Sequence, residues 1–597
     1  MKNHLNDFDP TVDENSKSNL SLKALTELLF MCSLYNRRFG AAHHPVDEFL
    51  TFCIETVKKM PYVDNIHRKP ELVIPYSTIY MSAQDCGFEL PELRNAIQAM
   101  LDSNLPQAVE DNPYRKMELR YALERTNFKH NLPSIEELFK TTCLYESLPL
   151  LFLKLEHVYV LTHLIFYLTD FGFSQKKDPP NLASLRYMTS TLLGEYDLEK
   201  NWDISAELLM CCKFLDIYPA HTYQKAWSNL ISSQKADGAL TDTFFDAKKH
   251  EGMIGSTKEK YYFEEHYHTT MVSAACAFLT DDKKIHRTNP HENIVKSIAN
   301  PKITQSLQLA NSWLHTYHHE AKTLDLHSAI NILIGQWTYS STRSFEHSYS
   351  PATFQRITND IAKIISENPS TVNECDPALL LLGLGVLRKL NIRLEALEAF
   401  AKKSFEAINQ TQDLKNDTRL RLFPVLHLLN GLGFNTDNTQ TQEEQYQATL
   451  INQSEASEEN LTALINYVSR STSFGLHPIQ ENDSQFTNDI NSRLAALAFY
   501  YLNHYKLDEA LMLIRAMNHQ KMNSTQSFQQ VFTYILNQQR EDGSYGFYSD
   551  EIKQIAKSDP KFDSVKRITL PLTVSAMWTI AEANTCSFSL FNSIRTQ

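Results

Sequence analysis

The chain has 597 residues, 42% of them hydrophobic and 21% charged, with a formal net charge of −13. That length exceeds one ordinary core, so two or more domains are expected, and the composition is that of a globular protein, not a disordered one. The acid excess without any clustered Lys/Arg stripe excludes nucleic acid as the main partner, and only 15 glycines exclude an all-β fold, which needs turn residues at short intervals.

In chain order, residues 1–18 are polar and acidic and read as a loose leader with no signal peptide. Helical periodicity then runs through "SLKALTELLFMCSLYNRRF", "PVDEFLTFCIETVKKM" and "PELRNAIQAMLDSN", separated by "RRFGAAHHP", whose adjacent histidines suit a loop, and by "ELVIPYSTIYM" (71–81). The last of these is ambiguous: its short apolar run is strand-like but interrupted by Pro75. Pro113 and Pro133-Ser134 each open a further helix. Helices follow at 155–170, 203–216, 222–234 and 264–280.

A polar stretch, 280–297, is the expected domain boundary, giving a helical domain over 19–285 and a second over 300–597. In the second half, helices are expected at 304–320, 325–338, 352–366, 376–390, 393–408 and 418–431. A solvated loop (433–445) and five further apolar-patterned segments complete it. Short connections imply antiparallel helical hairpins, so the fold class is all-α. The most apolar segment, near residue 160, carries Glu156, His157, His163 and Asp170 and is no membrane span. Nine scattered cysteines without a CxxC pair give neither a zinc ribbon nor a disulfide framework, which fits a reducing cytoplasm.

One pattern recurs at helix ends: "QREDGSYGF" (Gln539, Asp542, Gly543, Ser544, Tyr545) and "QKADGAL" (Gln234, Asp237, Gly238). Gly at the third of these positions supplies the positive φ that ends a helix, and Asp accepts turn N–H groups. This resembles the QW-type repeat of the terpene cyclase and prenyltransferase superfamily, where the motif ties one helix end to the next around an α/α toroid. The resemblance implies toroid-like domains with a metal or an acid at one end of an inner helical barrel. It does not imply terpene chemistry, because the superfamily's Asp-x-Asp-Asp is absent and the Asp-Asp-x-x-Asp is missing too, "DDKKI" at 281–285 having Ile at its end. The Asp–Cys–His metal set of the prenyltransferase branch is not matched either. P-loop, dinucleotide, HExxH and GxSxG motifs do not occur.

The first half concentrates polar residues on apolar helices. Tyr159, His163, Tyr167 and Asp170 share one helical face. Asp170, in the last turn, opposes the helix dipole and so needs a compensating cation, metal or substrate group. Asp203 and Glu207 stand one turn apart, with Cys211 a turn further; buried together they would have to bind a cation or shift a pKa, and exposed they would be helix-start acids. His266 and His268 precede a small-residue helix, in a spacing that suits a loop. Arg115 and Glu118 read as a surface pair. Together, His163, Asp203, Glu207 and His268 form a mixed nitrogen–oxygen set suited to a divalent metal of the zinc, iron or manganese class, or to metal-free acid–base work.

Two readings follow. The first is an enzyme acting on an apolar or peptide-derived small substrate, with His163, Asp170 and His268 as catalytic groups and Tyr159 or Tyr167 positioning. The second is a non-catalytic helical scaffold for a protein or peptide partner, its polar stripes being internal networks. The second half reads as chemically quiet scaffold, with Asp376 capping a helix that opens on Pro377.

Overall fold

The computed structural model describes residues 2–11, 19–40, 46–104, 112–142, 144–145, 149–174, 181–217, 220–241, 243–280, 300–321, 324–342, 351–410, 425–434, 458–479, 484–546, 563–584 and 589–593. The adjacent histidines His43 and His44, residues 281–297 of the polar stretch with its "DDKKI", and nearly all of the loop 433–445 lie outside them. The described chain is all-helical, and it divides into two compact units, Met1–His291 and Glu292–Gln597.

In the first unit the helices are α1 (Asn19–Phe39), α2 (Asp47–Lys59), α3 (Tyr62–Arg68), α4 (Val73–Asp85), α5 (Pro91–Asp102), α6 (Pro113–Arg125), α7 (Ile135–Lys140), α8 (Leu155–Thr169), α9 (Leu182–Leu198), α10 (Trp202–Phe214), α11 (Ala220–Ser232), α12 (Ala247–Glu251), α13 (Gly255–Glu264) and α14 (Tyr267–Thr280). Packing follows a closed cycle: α1 on α4, α4 on α6, α6 on α8, α8 on α10, α10 on α14, and α14 back on α1. The helices that fall between them in sequence pack outside this cycle, α2 on α1, α5 on α4, α7 on α6 and α9 on α10.

Side-chain pairs show that the six helices of the cycle run the same way. Tyr159 meets Asp203 and, further along both helices, Phe166 meets Phe214. Tyr114 lies 5.7 Å from His163 and Tyr121 5.3 Å from Tyr167. Glu27 meets His268, and Tyr35 then meets Phe278. The C-terminal residue of α4, Asp85, is met by Asn36 near the end of α1 and by Arg125 at the end of α6. Parallel neighbours need a returning segment each time, which is why the cycle helices alternate with outer ones along the chain.

Two sequence expectations change here. The strand-like run at 71–81 is helical: Pro75 sits in the first turn of α4, where its missing N–H would have had no partner. From Tyr76 to Ala83 every residue is buried, so the helix is covered all round and shows no amphipathic period. The loose leader is, over Lys2–Phe8, a 3-10 helix whose Phe8 is fully buried edge-on to Phe263 and Tyr267. Burying that phenylalanine contributes roughly 1.5–3 kcal/mol toward holding the segment down.

The segment 264–280 divides into two helices, α13 and α14, with His266 in the turn between them. Helices α10 and α14 pack closely on one another, and buried residues of both are small (Ser205, Ala206, Ser273, Cys276). This close approach brings Asp203 and Glu207 within reach of His268.

In the second unit α15 (Asn300–Glu320), α16 (Leu326–Thr342), α17 (Pro351–Glu367), α18 (Pro377–Lys389), α19 (Glu395–Gln410), α20 (Glu458–Ser471), α21 (Ser484–Asn503), α22 (Leu507–His519), α23 (Gln526–Asn537) and α24 (Asp563–Asn584) pack in the same hairpin manner. Asp376 caps α18 by accepting from Leu379 N at 2.8 Å.

The two helix-end motifs build one and the same joint, one copy in each unit. Lys235 N donates to Ala239 O and Gly238 N to Lys235 O; Arg540 N donates to Ser544 O and Gly543 N to Arg540 O, all at 2.9 Å. Gln234 Nε2 donates to Gly238 O, and Gln539 Nε2 to Gly543 O, both at 3.0 Å. Each loop then hands a backbone N–H to a threonine of a following long helix: Leu240 to Thr270 Oγ1 and Tyr545 to Thr573 Oγ1, both at 3.0 Å. In the second copy Gln539 also reaches Ser306 O, and the Tyr545 hydroxyl meets Ser306 Oγ, fastening the loop to α15.

Candidate functional site

A cavity of about 190 Å3 lies inside the cycle of the first unit and is lined by all six of its helices. Its walls are mostly apolar, with Phe30, Met31, Met81, Phe166, Met210 and Met271 among them. Five carboxyl and imidazole side chains of the lining break that character: Glu27, Glu118, His163, Glu207 and His268.

Asp203 and Glu207 are 3% and 2% exposed, so they are not solvated helix-start acids. Two carboxylates in so dry a place need partners. Asp203 Oδ2 accepts from the Tyr159 hydroxyl at 2.6 Å, and its Oδ1 lies 3.6 Å from His268 Nε2. Glu207 Oε2 accepts from the Thr162 hydroxyl, while its Oε1 lies 3.5 Å from His163 Nε2. One ligand atom each from Asp203, Glu207 and His268 falls within 4.8 Å of the others. Neighbouring ligands of a tetrahedral ion stand roughly 3.3–3.6 Å apart on 2.0–2.2 Å bonds, so the three atoms must each draw in part of the remaining distance. Side-chain movement of less than an ångström would therefore close the set.

His268 is held from its other side by a residue that sequence reasoning missed. Its Nδ1–H donates to Glu27 Oε2 at 3.0 Å, which leaves Nε2 turned toward Asp203. A carboxylate behind a histidine fixes its tautomer and raises its basicity, as it does around metal-bound histidines. Burial works against charge on His268, but Glu27 and Asp203 outweigh it and push its pKa up to about 10. Burial likewise disfavours the His163 cation, yet Glu207, with Glu118 behind it, raises its pKa. For Glu27, burial acts upward, and His268 with Lys23 overcomes it, so its pKa is lowered. At neutral pH His268 is thus an imidazolium facing two carboxylates in an apolar surround, and Glu207 favours the charged form of His163.

The five residues expected to be catalytic do not all gather. His163, His268 and Tyr167 line the cavity, and burial and then Glu118 raise the Tyr167 hydroxyl well above its ordinary pKa. Tyr159 acts through Asp203. His163 pairs with Glu207 but stands outside the three-ligand group, which differs in this from the four-ligand set read from sequence.

Asp170 belongs elsewhere. It is the C-cap of α8, with φ +50°, and is bound by Arg37 (2.7 Å), Arg125 (3.2 Å) and the Tyr121 hydroxyl (2.6 Å). Arg125 also holds Asp85 at 2.7 Å, and the Arg37 guanidinium lies over the Phe173 ring. The cation that Asp170 requires is a pair of arginines. Their charges also suit the C-terminal ends of parallel helices, where carbonyl dipoles converge. Asp170 therefore stands in an ionic cluster with Arg37, Arg125 and Asp85, apart from the group formed by Asp203, Glu207 and His268.

His266 does not join His268. It stacks on Tyr262 at 4.0 Å between ring centroids, and its Nε2 lies 2.7 Å from Lys235 Nζ, in the helix-end joint. Cys211 is buried, its Sγ 3.7 Å from Thr162 O, and burial raises its thiol pKa well above the ordinary value. Arg115 and Glu118 pair at 2.9 Å as expected, but the carboxylate also lines the cavity.

The second unit is less quiet than its sequence suggests. Glu582, fully buried, faces His519 at 3.1 Å and accepts from Trp578 Nε1 at 2.7 Å and Leu590 N at 2.9 Å. Those bonds tie α22, α24 and the C-terminal segment together. Only the rarity of an acid in "MWTIAEAN" marked the position.

Residues 1–278 are similar to a family described as a domain of unknown function, DUF6895, so the similarity spans the unit that holds the cavity. No curated protein and no solved structure matches the chain. Among the described residues, no helix is long and apolar enough to cross a membrane.

Proposed function

We propose that the first unit is an enzyme of the α/α-toroid kind, acting on an apolar or peptide-derived small substrate by metal-assisted acid–base chemistry. The observation that carries the reading is the convergence of Asp203, Glu207 and His268, the last two lining an apolar cavity framed by six helices. The toroid assignment is supported by the closed packing cycle and by the paired helix-end joints, which have the form that the QW-type resemblance implies.

Asp203, Glu207 and His268, the last giving up its Nε2 proton, would hold a divalent ion, which would polarise a substrate oxygen or lower the pKa of a bound water. Glu27 orients His268 by holding its Nδ1 proton. His163, whose charged form is favoured by its pairing with Glu207, is placed to give a proton to a leaving group and to take one back. Apolar walls exclude water and strengthen each of these interactions.

The test is the metal content of purified protein after exposure to Zn2+, Mn2+ and Fe2+. One equivalent of one ion in the wild type, falling at least tenfold in a His268→Ala variant that still unfolds cooperatively, supports the proposal. Absence of stoichiometric metal from a folded wild type in all three ions overturns its metal component.

A further inference from the structure

The second unit repeats the register of the first. Helices α10 and α22 each have 13 residues and stand equally far ahead of their motif glutamines, Gln234 and Gln539. Both joints then bond a threonine of the next long helix, Thr270 on α14 and Thr573 on α24. The packing agrees: α22 lies on α24, α21 and α20, and α24 on α16, as α10 lies on α14, α9 and α8, and α14 on α1. In this register Met210 corresponds to Arg515, and Val272, Ala275 and Leu279 correspond to Ser575, Trp578 and Glu582. Met210, Val272, Ala275 and Leu279 all line the cavity of the first unit. Of the three grouped metal ligands, only Asp203 has an acidic counterpart, Asp508; Met512 and Pro571 stand in the places of Glu207 and His268.

Positions that give the first unit apolar walls are thus polar in the second, and they bond to one another. Arg515 Nη1 donates to Ser575 Oγ and Thr579 Oγ1, both at 3.1 Å. The guanidinium lies 4.2 Å over the Trp578 ring, whose Nε1 donates to Glu582 Oε1. All of these acceptors of Arg515 are neutral. Glu582 has its oxygens on Trp578, Leu590 N and His519, and Asp508 is exposed, so its charge is screened by water. Among the described residues no carboxylate comes within ion-pair reach of Arg515, and its Nε and Nη2 make no hydrogen bond. Those two atoms form the edge of the guanidinium with two parallel N–H groups, the fork that fits both oxygens of a carboxylate. Burial lowers the Arg515 pKa against the pull of Glu582 and Asp508, so the cation gains from a further anion.

We infer that the second unit binds a monocarboxylate with a flat apolar body, its carboxylate on the Nε–Nη2 edge of Arg515 and its body against Trp578. Half-buried rings continue the surface there, Phe591 lying 5.3 Å from Trp578. One guanidinium matches one negative charge. A phosphate dianion would bring a second, with Glu582 and Asp508 nearby and no second cation to meet it. The inference is independent of the metal in the first unit: there the equivalent positions are apolar, so the two units bind by different chemistry on one repeated frame.

Calorimetry of the full-length, metal-free protein with benzoate, benzamide and inorganic phosphate tests the inference. Benzoate should bind about tenfold or more tightly than either of the others, the worth of hydrogen bonds to a charged group. Arg515→Met, which installs the residue of the first unit, should weaken benzoate by about tenfold or more. Should that variant fail to unfold cooperatively, Arg515→Lys keeps the charge, gives up the fork and should still weaken benzoate severalfold. Benzoate should also change tryptophan fluorescence in the wild type and not in Trp578→Phe. His268→Ala should bind benzoate as the wild type does, which separates this site from the imidazolium of the first unit. Absence of benzoate binding, equal or tighter binding of benzamide or phosphate, or benzoate affinity that a folded Arg515 variant keeps or that His268→Ala loses overturns the inference.

Discussion

Replacing Glu27 by Gln should collapse the pKa of His268. The Glu27 carboxylate lies 3.0 Å from Nδ1 and the Asp203 carboxylate 3.6 Å from Nε2. With an effective dielectric of about 20, the two attractions are worth roughly 5.5 and 4.6 kcal/mol, or about 4 and 3.4 pKa units. A desolvation penalty of roughly 3–5 units opposes them. The balance agrees with the value of about 10 for His268. Removing the Glu27 charge while keeping an acceptor for Nδ1–H should therefore return His268 to roughly its unperturbed 6.5 or slightly below.

The folded-state pKa is raised, so the stabilisation from this histidine is complete below about pH 6.5 and is lost as pH rises through about 10. In metal-free protein, histidine-selective NMR should show His268 protonated at pH 8 in the wild type and neutral in Glu27→Gln. The melting temperature of the wild type should fall between pH 7 and 10 more steeply than that of the variant. An unchanged His268 titration in the variant would refute the assignment of Glu27 as its positioning partner.

Other consequences concern the frame around the site. Asp170→Ala leaves Arg37 and Arg125 without their shared anion; it should destabilise the protein by about 1–3 kcal/mol, below the ~3–5 kcal/mol of a fully dry pair. Denaturant unfolding measures this, and metal uptake should stay unchanged. Gly543→Ala and Gly238→Ala should differ. Both sites have positive φ (+93° and +88°), which costs an L-residue ~1–2 kcal/mol, but only at Gly543 would a Cβ meet a backbone atom, Leu309 O at 2.2 Å. Gly543→Ala should therefore lower the melting temperature markedly more. Among the thiols, those of Cys211, Cys212 and Cys276 are buried and raised well above their ordinary pKa, so a disulfide reagent at pH 8 should spare them until the protein unfolds. Among the described cysteines the partly exposed Cys375, raised to about 11, should react first, though slowly.

Much of the frame was legible because it is written locally. Helix starts at Pro113, Ser134 and Asp376 depend on one or two residues, and the Gln-x-x-Asp-Gly joints encode their own turn through Gly φ and an Asp that accepts N–H groups. The stripe on α8 was visible as polar residues on an apolar helix. What escaped was whatever depended on a distant partner. Glu27 follows Lys23 by four residues and Glu118 follows Arg115 by three, so both look like solvated pairs, and they are pairs, yet each carboxylate lines the cavity. Asp170 was legible as an anion in need of a cation, but its arginines lie 133 and 45 positions away. The run at 71–81 defeated periodicity because a helix buried on all sides has none.

The central claim is that Asp203, Glu207 and His268 hold one divalent ion beside the apolar cavity. Anomalous diffraction from crystals grown with the ion that the protein takes up tests it most directly. The account predicts a single strong peak within about 2.0–2.2 Å of a carboxylate oxygen of Asp203, one of Glu207 and Nε2 of His268, with Glu27 still on Nδ1. A peak elsewhere, or an intact His268–Asp203 contact with no ion between the three residues in crystals saturated with metal, would contradict it.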